Sequence, residues 1–319
     1  MKRLMPASLI TFLQSNPNCE KADLFAITLP TGNTFYATSG QWKITLSAYN
    51  PSTALGTPGW TGPTTTFESV LYGRWSRGAV TSEASFSCGA NTMDLTCVPQ
   101  PATVYPGTSI GILAAALVGL FDAAQVTVYT AYFSQGQYGN TSAGIEIKFQ
   151  GTIKGLTDIN RIKAEFSCSD AMYLLNQKVP ARLFQSNCMW GFCDVNCTLN
   201  PATYTTNFTA KAGSTQITLT PAVAFTQPAG WATQGVVKCT SGANSGLSQT
   251  VSLHDGSGNL QMLSPWLLPV SAGDTFSVIA GCSKQLTSCK SRVTAAGGAV
   301  DNSINFGGFP FIPPPTSAF

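Results

Sequence analysis

The apolar and polar positions of this chain alternate, over most of its length, with the two-residue period of strands. Asp23 to Leu29 alternates, breaks at Pro30-Thr31-Gly32-Asn33 and resumes at Thr34 to Thr38, which predicts a β-hairpin. Trp42 to Ser47 predicts a strand continuing that sheet, and residues 49–66, with Pro51, Gly56, Pro58, Gly59, Gly62 and Pro63, predict a long loop. Regular structure resumes at Phe67 to Tyr72, and Ala84 to Val98 predicts two short strands around Gly89-Ala90-Asn91. Longer alternating runs follow at Gln125–Phe133, Ile145–Leu156 and Ile159–Ser167. Three segments read as helices: an amphipathic start with Leu9, Phe12 and Leu13 toward a core, residues 106–122 capped by Pro106-Gly107-Thr108-Ser109, and Asp170–Gln177 stopped by Pro180.

Further along, Gln216–Thr220, Gly235–Cys239, Gln249–His254, Asn259–Leu263 and Thr275–Ala280 are strand-like runs separated by turn residues, among them Asp255-Gly256. Strands at that spacing predict a small barrel or sandwich. The fold class expected is mainly β, with antiparallel domains, a few short helices and an inserted small β module. The expected organisation is a β-rich domain at 1–185, a cysteine segment and tail at 186–202 and 279–319, and the inserted barrel or sandwich at 203–278. The tail from Asp301 to Pro313 is aromatic and glycine-rich without a strand period, so it is expected to order only by packing on something else.

Composition narrows the class. Only 10% of the 319 residues are charged, against about 25% in an ordinary soluble protein. A surface of Thr, Ser, Asn, Gln, Gly and Ala suits a secreted β protein or a subunit of a permanent assembly. The net charge of +3 is small and scattered, with no basic stripe, which argues against a nucleic-acid partner. The longest apolar run, Ile110 to Phe121, is too short to span a bilayer. The start has Lys2 and Arg3 but a short apolar stretch broken by Pro6 and no small-x-small cleavage site before Cys19, so synthesis in the cytoplasm with reduced cysteines is expected.

The chemistry concentrates in cysteine. Asn187 to Cys197 carries Cys188, Cys193 and Cys197, and Gly281 to Lys290 carries Cys282 and Cys289; eight residues separate Cys188 from Cys197 and six separate Cys282 from Cys289. Four thiolates from two such stretches suit one tetrahedral sulfur site for zinc or an iron-sulfur cluster, and spacing alone leaves buried thiols and disulfides open. Cys193 lies four residues from Cys197, so either can serve as the second ligand of its pair. Cys88, Cys97, Cys168 and Cys239 fall in predicted strands and read as small buried apolar residues. The one histidine, His254, lies at a hairpin turn, which excludes a Cys2His2 zinc site. There is no nucleophile elbow, phosphate loop or dinucleotide fingerprint, and no carboxylate pair, so nothing reads as an active site.

From Leu156 to Phe311 the path resembles a family of tailed-phage and gene-transfer-agent tail proteins. It has a β region ending in a short helix, a cysteine-rich turn, an inserted β module, a Gly281-Cys282 to Cys289 turn, and a closing Asn305-Phe306-Gly307-Gly308-Phe309-Pro310-Phe311-Ile312-Pro313. Leu29 to Thr38 and Leu71 to Leu95 are similar to it as well. The resemblance implies a non-enzymatic baseplate hub of a long-tailed bacteriophage, similar to λ-type tail-tip hubs. That hub is a homotrimer in the virion tail, assembled in the host cytoplasm, and it joins the distal tail protein and tail tube to central fibre or tip proteins. It also implies an iron-sulfur cluster, [4Fe-4S] by expectation, with ligands at Cys188, Cys197, Cys282 and Cys289 by position. The competing expectation is a secreted or virion-surface carbohydrate-binding β protein held by disulfides, with Trp60, Trp231 and Trp266 in loops as stacking platforms and Asn140, Asn196 and Asn207 as glycan acceptors.

Overall fold

The computed structural model describes residues 5–48, 56–81, 90–100, 103–106, 108, 110–176 and 184–311. Its chain divides into two compact units, Met1–Gln177 and Lys178–Phe319.

The first unit opens with helix α1 (Ala7–Ser15), which buries Leu9. Nine strands follow: β1 (Glu20–Thr28), β2 (Thr34–Thr38), β3 (Ile44–Leu46), β4 (Thr65–Phe67), β5 (Arg74–Thr81), β6 (Thr92–Val98), β7 (Gln125–Phe133), β8 (Ile145–Ile159) and β9 (Ala164–Ser169), with α2 (Ile112–Leu117) between β6 and β7. Seven of them form one antiparallel sheet in the order β2-β1-β7-β8-β9-β6-β5. The β1–β2 hairpin turns where the sequence places it, with Gly32 at φ +90° and the Leu29 N–H donating to the Asn33 carbonyl.

Both faces of this sheet are covered. On one, Ala22 and Leu24 of β1 pack with Phe133, Ile145, Trp60, Phe67, Ile44 and Leu46. On the other, Phe35 meets Trp75 and Phe121, and Trp75 stacks on Phe166 with ring centroids 5.9 Å apart. Trp75, Phe121 and Phe166 are essentially unexposed; truncating such a ring typically costs about 3–5 kcal/mol.

Several expectations are corrected here. Ile44–Leu46 does not continue the sheet; it pairs with β4 as a separate two-stranded ribbon that covers one face, because its alternation fixes which side chains are apolar but not which strand it pairs with. A strand stands at Arg74–Thr81, whose alternation is diluted by Arg74, Ser76 and Arg77, while the predicted run at Ala84–Cys88 lies outside the described residues. The helix predicted over 106–122 is confined to Ile112–Leu117, where Gly111 precedes it and Gly119, at φ +77°, ends it.

The main sheet of the second unit follows a 3-10 turn (Pro201–Tyr204) and has, among the described residues, six strands: β10 (Thr205–Thr209), β11 (Thr218–Leu219), β12 (Val236–Cys239), β13 (Ser248–His254), β14 (Leu260–Met262) and β15 (Thr275–Ile279). They pair antiparallel in the order β10-β15-β12-β13-β14-β11. The two ends of that order meet at the Ala210–Pro221 bridge, where the Lys211 N–H donates to the Thr220 carbonyl, so the sheet closes on itself as a small barrel. Closure removes the open edges that a six-stranded sheet otherwise presents. The interior holds Phe208 stacked on Phe276, Trp266 against Phe276, and Phe225 against His254. β10 is nearly all threonine and asparagine around Phe208, so it carries almost no apolar alternation to read.

Trp60, Trp231 and Trp266 are core residues, 5%, 5% and 1% exposed. The Trp60 and Trp231 indole N–H groups donate inward, to the Pro63 and Val293 carbonyls. They cannot serve as the exposed stacking platforms that the carbohydrate-binding expectation requires. Cys97, Cys168 and Cys239 are buried in strands as expected, and burial pushes the Cys168 thiol up to about 12 and Cys239 up to about 11.

His254 is 2% exposed, and its Nδ1 accepts from the Ala232 N–H at 3.5 Å. Burial lowers its pKa below the ordinary 6.5, outweighing the opposing pull of Asp255. The unfolded chain therefore takes up this proton before the folded one does as pH falls, and the histidine's contribution to stability is present above about pH 6.5 and lost below it. Denaturant melts of the wild type and His254→Phe between pH 5 and 8 check this: the wild type is expected to lose stability through that window, and the variant to lose less.

Candidate metal centre

Two stretches of the second unit have no hydrophobic core of their own. No residue from 184 to 200 is buried, and none from 282 to 293 is. Segments of this kind hold a shape only through hydrogen bonds and cross-links, and both are built around cysteines.

In the first stretch Asp194 organises the turn. Its carboxylate accepts from the Cys197 N–H at 2.6 Å and the Gly191 N–H at 2.7 Å, and these bonds, the Cys197 one first, hold its carboxyl below the usual carboxylate range. Cys193, between the outer cysteines, and Thr198, just after Cys197, take φ near +60°, a conformation that side chains seldom adopt. In the second stretch Lys284 is likewise at φ +63°, and helix α3 (Leu286–Lys290) carries Cys289. The stretches are tied directly: the Cys188 N–H donates to the Lys284 carbonyl at 2.8 Å, and the Lys284 ammonium donates to the Trp190 carbonyl.

The C-terminal segment closes over both. After the short ribbon β16 (Arg292–Val293) and β17 (Ala299–Val300), the Asn302 side chain donates to the Cys197 carbonyl at 2.8 Å and lies 3.8 Å from the Cys197 Sγ. The Gly307 N–H donates to the Cys188 Sγ at 3.4 Å, and the Cys289 thiol donates to the Asn302 carbonyl at 3.2 Å. The Phe309 N–H donates to the Gln185 carbonyl. Gly307 has no room for a side chain, since a Cβ there would run into the Trp190 indole. The glycine pair of the tail thus serves close approach of backbone to the first cysteine turn.

Cys289 stands within electrostatic range of Cys197, Cys282 and Cys188, and Cys193 within range of Cys197 and Cys282. The Cys289 thiol is pushed up to about 11, by burial first and then by Cys197, Cys282 and Cys188. Cys193 is also pushed up to about 11, again by burial first and then by Cys197, with Cys282 contributing. Among the described residues no three His, Cys, Asp or Glu side chains form a closed metal-binding group, so the thiols converge without meeting as a finished ligand set. All nine described cysteines are free thiols. The donor set nonetheless fits a thiophilic metal or an iron-sulfur cluster: four thiols from two turns, a fifth beside them, and amide N–H groups aimed at sulfur. Asp194, Asn302 and the Gly307 amide are not marked by the cysteine spacing. Only the three-residue step from Asp194 to Cys197, a usual side-chain-to-backbone turn, signals one of them in the sequence.

Two family models match the chain. One, described as "Baseplate hub protein, N-terminal attachment domain", matches residues 6–200, more than half of the chain. The other, "Phage conserved hypothetical protein BR0599", matches residues 230–315. The first span includes the Cys188–Cys197 turn, and the second includes Cys282, Cys289 and the tail. Among solved structures, a chain of the "Virion of native gene transfer agent (GTA) particle" is similar over 98% of this chain and 96% of its own, with a TM-score of 0.71 at 18% identity. Comparison with curated proteins returns no match.

Asp194→Ala is expected to release the Gly191 and Cys197 amides while leaving barrel amides such as Val237 and Val278 protected. Hydrogen exchange followed by NMR checks this; unchanged protection at Gly191 and Cys197 would show that Asp194 does not organise the turn.

Proposed function

The chain belongs to the baseplate hub protein family, a structural part of the phage tail, and on that premise we propose that it is a non-enzymatic hub whose two cysteine turns hold one iron-sulfur cluster. The observation that carries the reading is the convergence of Cys188, Cys197, Cys282 and Cys289, each pair from its own coreless turn, with tail N–H donors directed at the Cys188 and Cys197 sulfurs.

In this reading Cys188, Cys197, Cys282 and Cys289 are the ligands, and Cys193 is the spare thiol at the first turn. The cluster, [4Fe-4S] by family resemblance, supplies cross-linking bonds that the unfolded chain cannot assemble, so that binding it adds to folding. Asp194 sets the first turn, Asn302 and the Gly307 amide donate toward sulfur, and the tail covers the site from one side. The work of this arrangement is mechanical: it locks the base of the small barrel, the two turns and the tail into one body.

As a baseplate protein the chain works in the virion tail, against other phage structural proteins. The finer proposal is a homotrimer that connects the distal tail protein and tail tube to central fibre or tip proteins. Supporting it, Phe184, Val195, Ile304 and Phe311, all in the second unit, are 81–92% exposed, an apolar surface of the kind that permanent assemblies cover. The low charge fits the same role.

Protein purified without oxygen is expected to carry iron and acid-labile sulfide in matching amounts, with a broad brown absorption. Cys282→Ser is expected to lose both and to become readily cleaved by protease at the tail and between residues 184 and 200. Zinc in place of iron would keep the cross-link and change the metal; a Cys282→Ser protein with undiminished protease resistance and assembly would contradict the structural role.

A further inference from the structure

One guanidinium stands among the cysteines, apart from the lysines of the second turn, Lys284 and Lys290. The Arg292 guanidinium lies over the Phe192 ring, 4.6 Å from its centroid, and 6.0 Å from the centre of the Tyr204 ring. One of its terminal N–H groups donates to the Gly281 carbonyl, the residue before Cys282. Its Nε has no acceptor, and among the described residues it makes no ion pair with a carboxylate. The groups able to carry negative charge that act on it are the thiols of Cys282, Cys193 and Cys197 and the phenol of Tyr204. Burial opposes its charge more strongly than these groups favour it.

A cation held away from water is unfavourable unless an anion faces it. Arginine cannot escape that cost by losing its proton. The aromatic contacts and the Gly281 bond keep this guanidinium beside the cysteines instead of letting it swing to solvent. A metal bound by thiolates is the anion that completes the arrangement, since each thiolate brings a negative charge that the metal only partly cancels.

We infer that Arg292 is the built-in counter-charge of the thiolate-bound centre, a positioning residue that favours its more negative, reduced state and slows its loss. The inference rests on the cluster reading above but assigns a residue that no part of that reading needs. It also separates Arg292 from the amide donors. Those act through N–H contacts to sulfur, whereas Arg292 acts through charge and ring contact from the side of Phe192 and Tyr204.

The test uses the full chain purified without oxygen, as wild type, Arg292→Met and Arg292→Lys. Bound iron and sulfide are measured first, then the midpoint potential and the rate of iron loss to a chelator. Arg292→Met is expected to lose iron about tenfold faster than wild type. Its potential is expected to fall by about 59 mV, the one-electron equivalent of a tenfold weaker hold on the reduced state. Arg292→Lys keeps the charge and is expected to stay near wild type in potential. If Arg292→Met fails to fold, Arg292→Gln, which keeps a planar donor toward Gly281, is read in its place. A loaded wild type whose neutral variants show the same potential and iron-loss rate overturns the inference and leaves the cluster standing. A lysine variant shifted as far as methionine overturns it in favour of a purely steric role. A wild type with neither iron nor zinc overturns both the inference and the cluster reading.

Discussion

A protein segment without buried residues needs something other than the hydrophobic effect to keep its shape. Residues 184–200 and 282–293 are two such segments, distant in sequence and joined in space, and the order of the C-terminal segment that closes over them depends on how they are held. Backbone hydrogen bonds between Cys188 and Lys284, the Asp194 turn and the Asn302 contacts give them geometry. Hydrogen bonds of this exposed kind contribute only about 0.5–1.5 kcal/mol each. The convergence of five thiols on the same place supplies the chemistry that can close the gap.

The two units solve the problem of β structure differently. In the first, a seven-stranded sheet is covered on both faces, by a two-stranded ribbon with Trp60 and Phe67 on one side and by a cluster of Trp75, Phe121 and Phe166 on the other. In the second, six short strands gain stability by closing into a barrel around Phe208, Trp266 and Phe276. The cysteine turns touch the buried aromatics only at their edge, where Phe192 meets Tyr204, and bury no residue of their own. Ordinary packing thus accounts for the scaffold, and the proposed cluster is what would hold the place where that packing thins.

Much of this was legible in the residues and some was not, for identifiable reasons. Strands with strong alternation, such as Gln125–Phe133 and Thr34–Thr38, stand where their pattern puts them, because a half-buried strand must alternate. Ile44–Leu46 was readable as a strand but not as a covering ribbon, since pairing partners leave no mark in a local pattern. Thr205–Thr209 was missed because only Phe208 faces the barrel core. At the cysteine site the ligand candidates announce themselves by spacing. Asn302, Gly307 and Arg292 do not, because their roles depend on a return of the chain more than a hundred residues after Cys188, or on a cation whose partners are two turns apart.

The central claim, that the two coreless turns are one cross-linked body, is tested most directly by hydrogen exchange mass spectrometry on anaerobic protein before and after chelation. The account predicts that removing the metal exposes 187–197, 282–290 and 302–309 together, while the barrel strands and the seven-stranded sheet keep their protection. Protection of all three segments that is indifferent to chelation would contradict it.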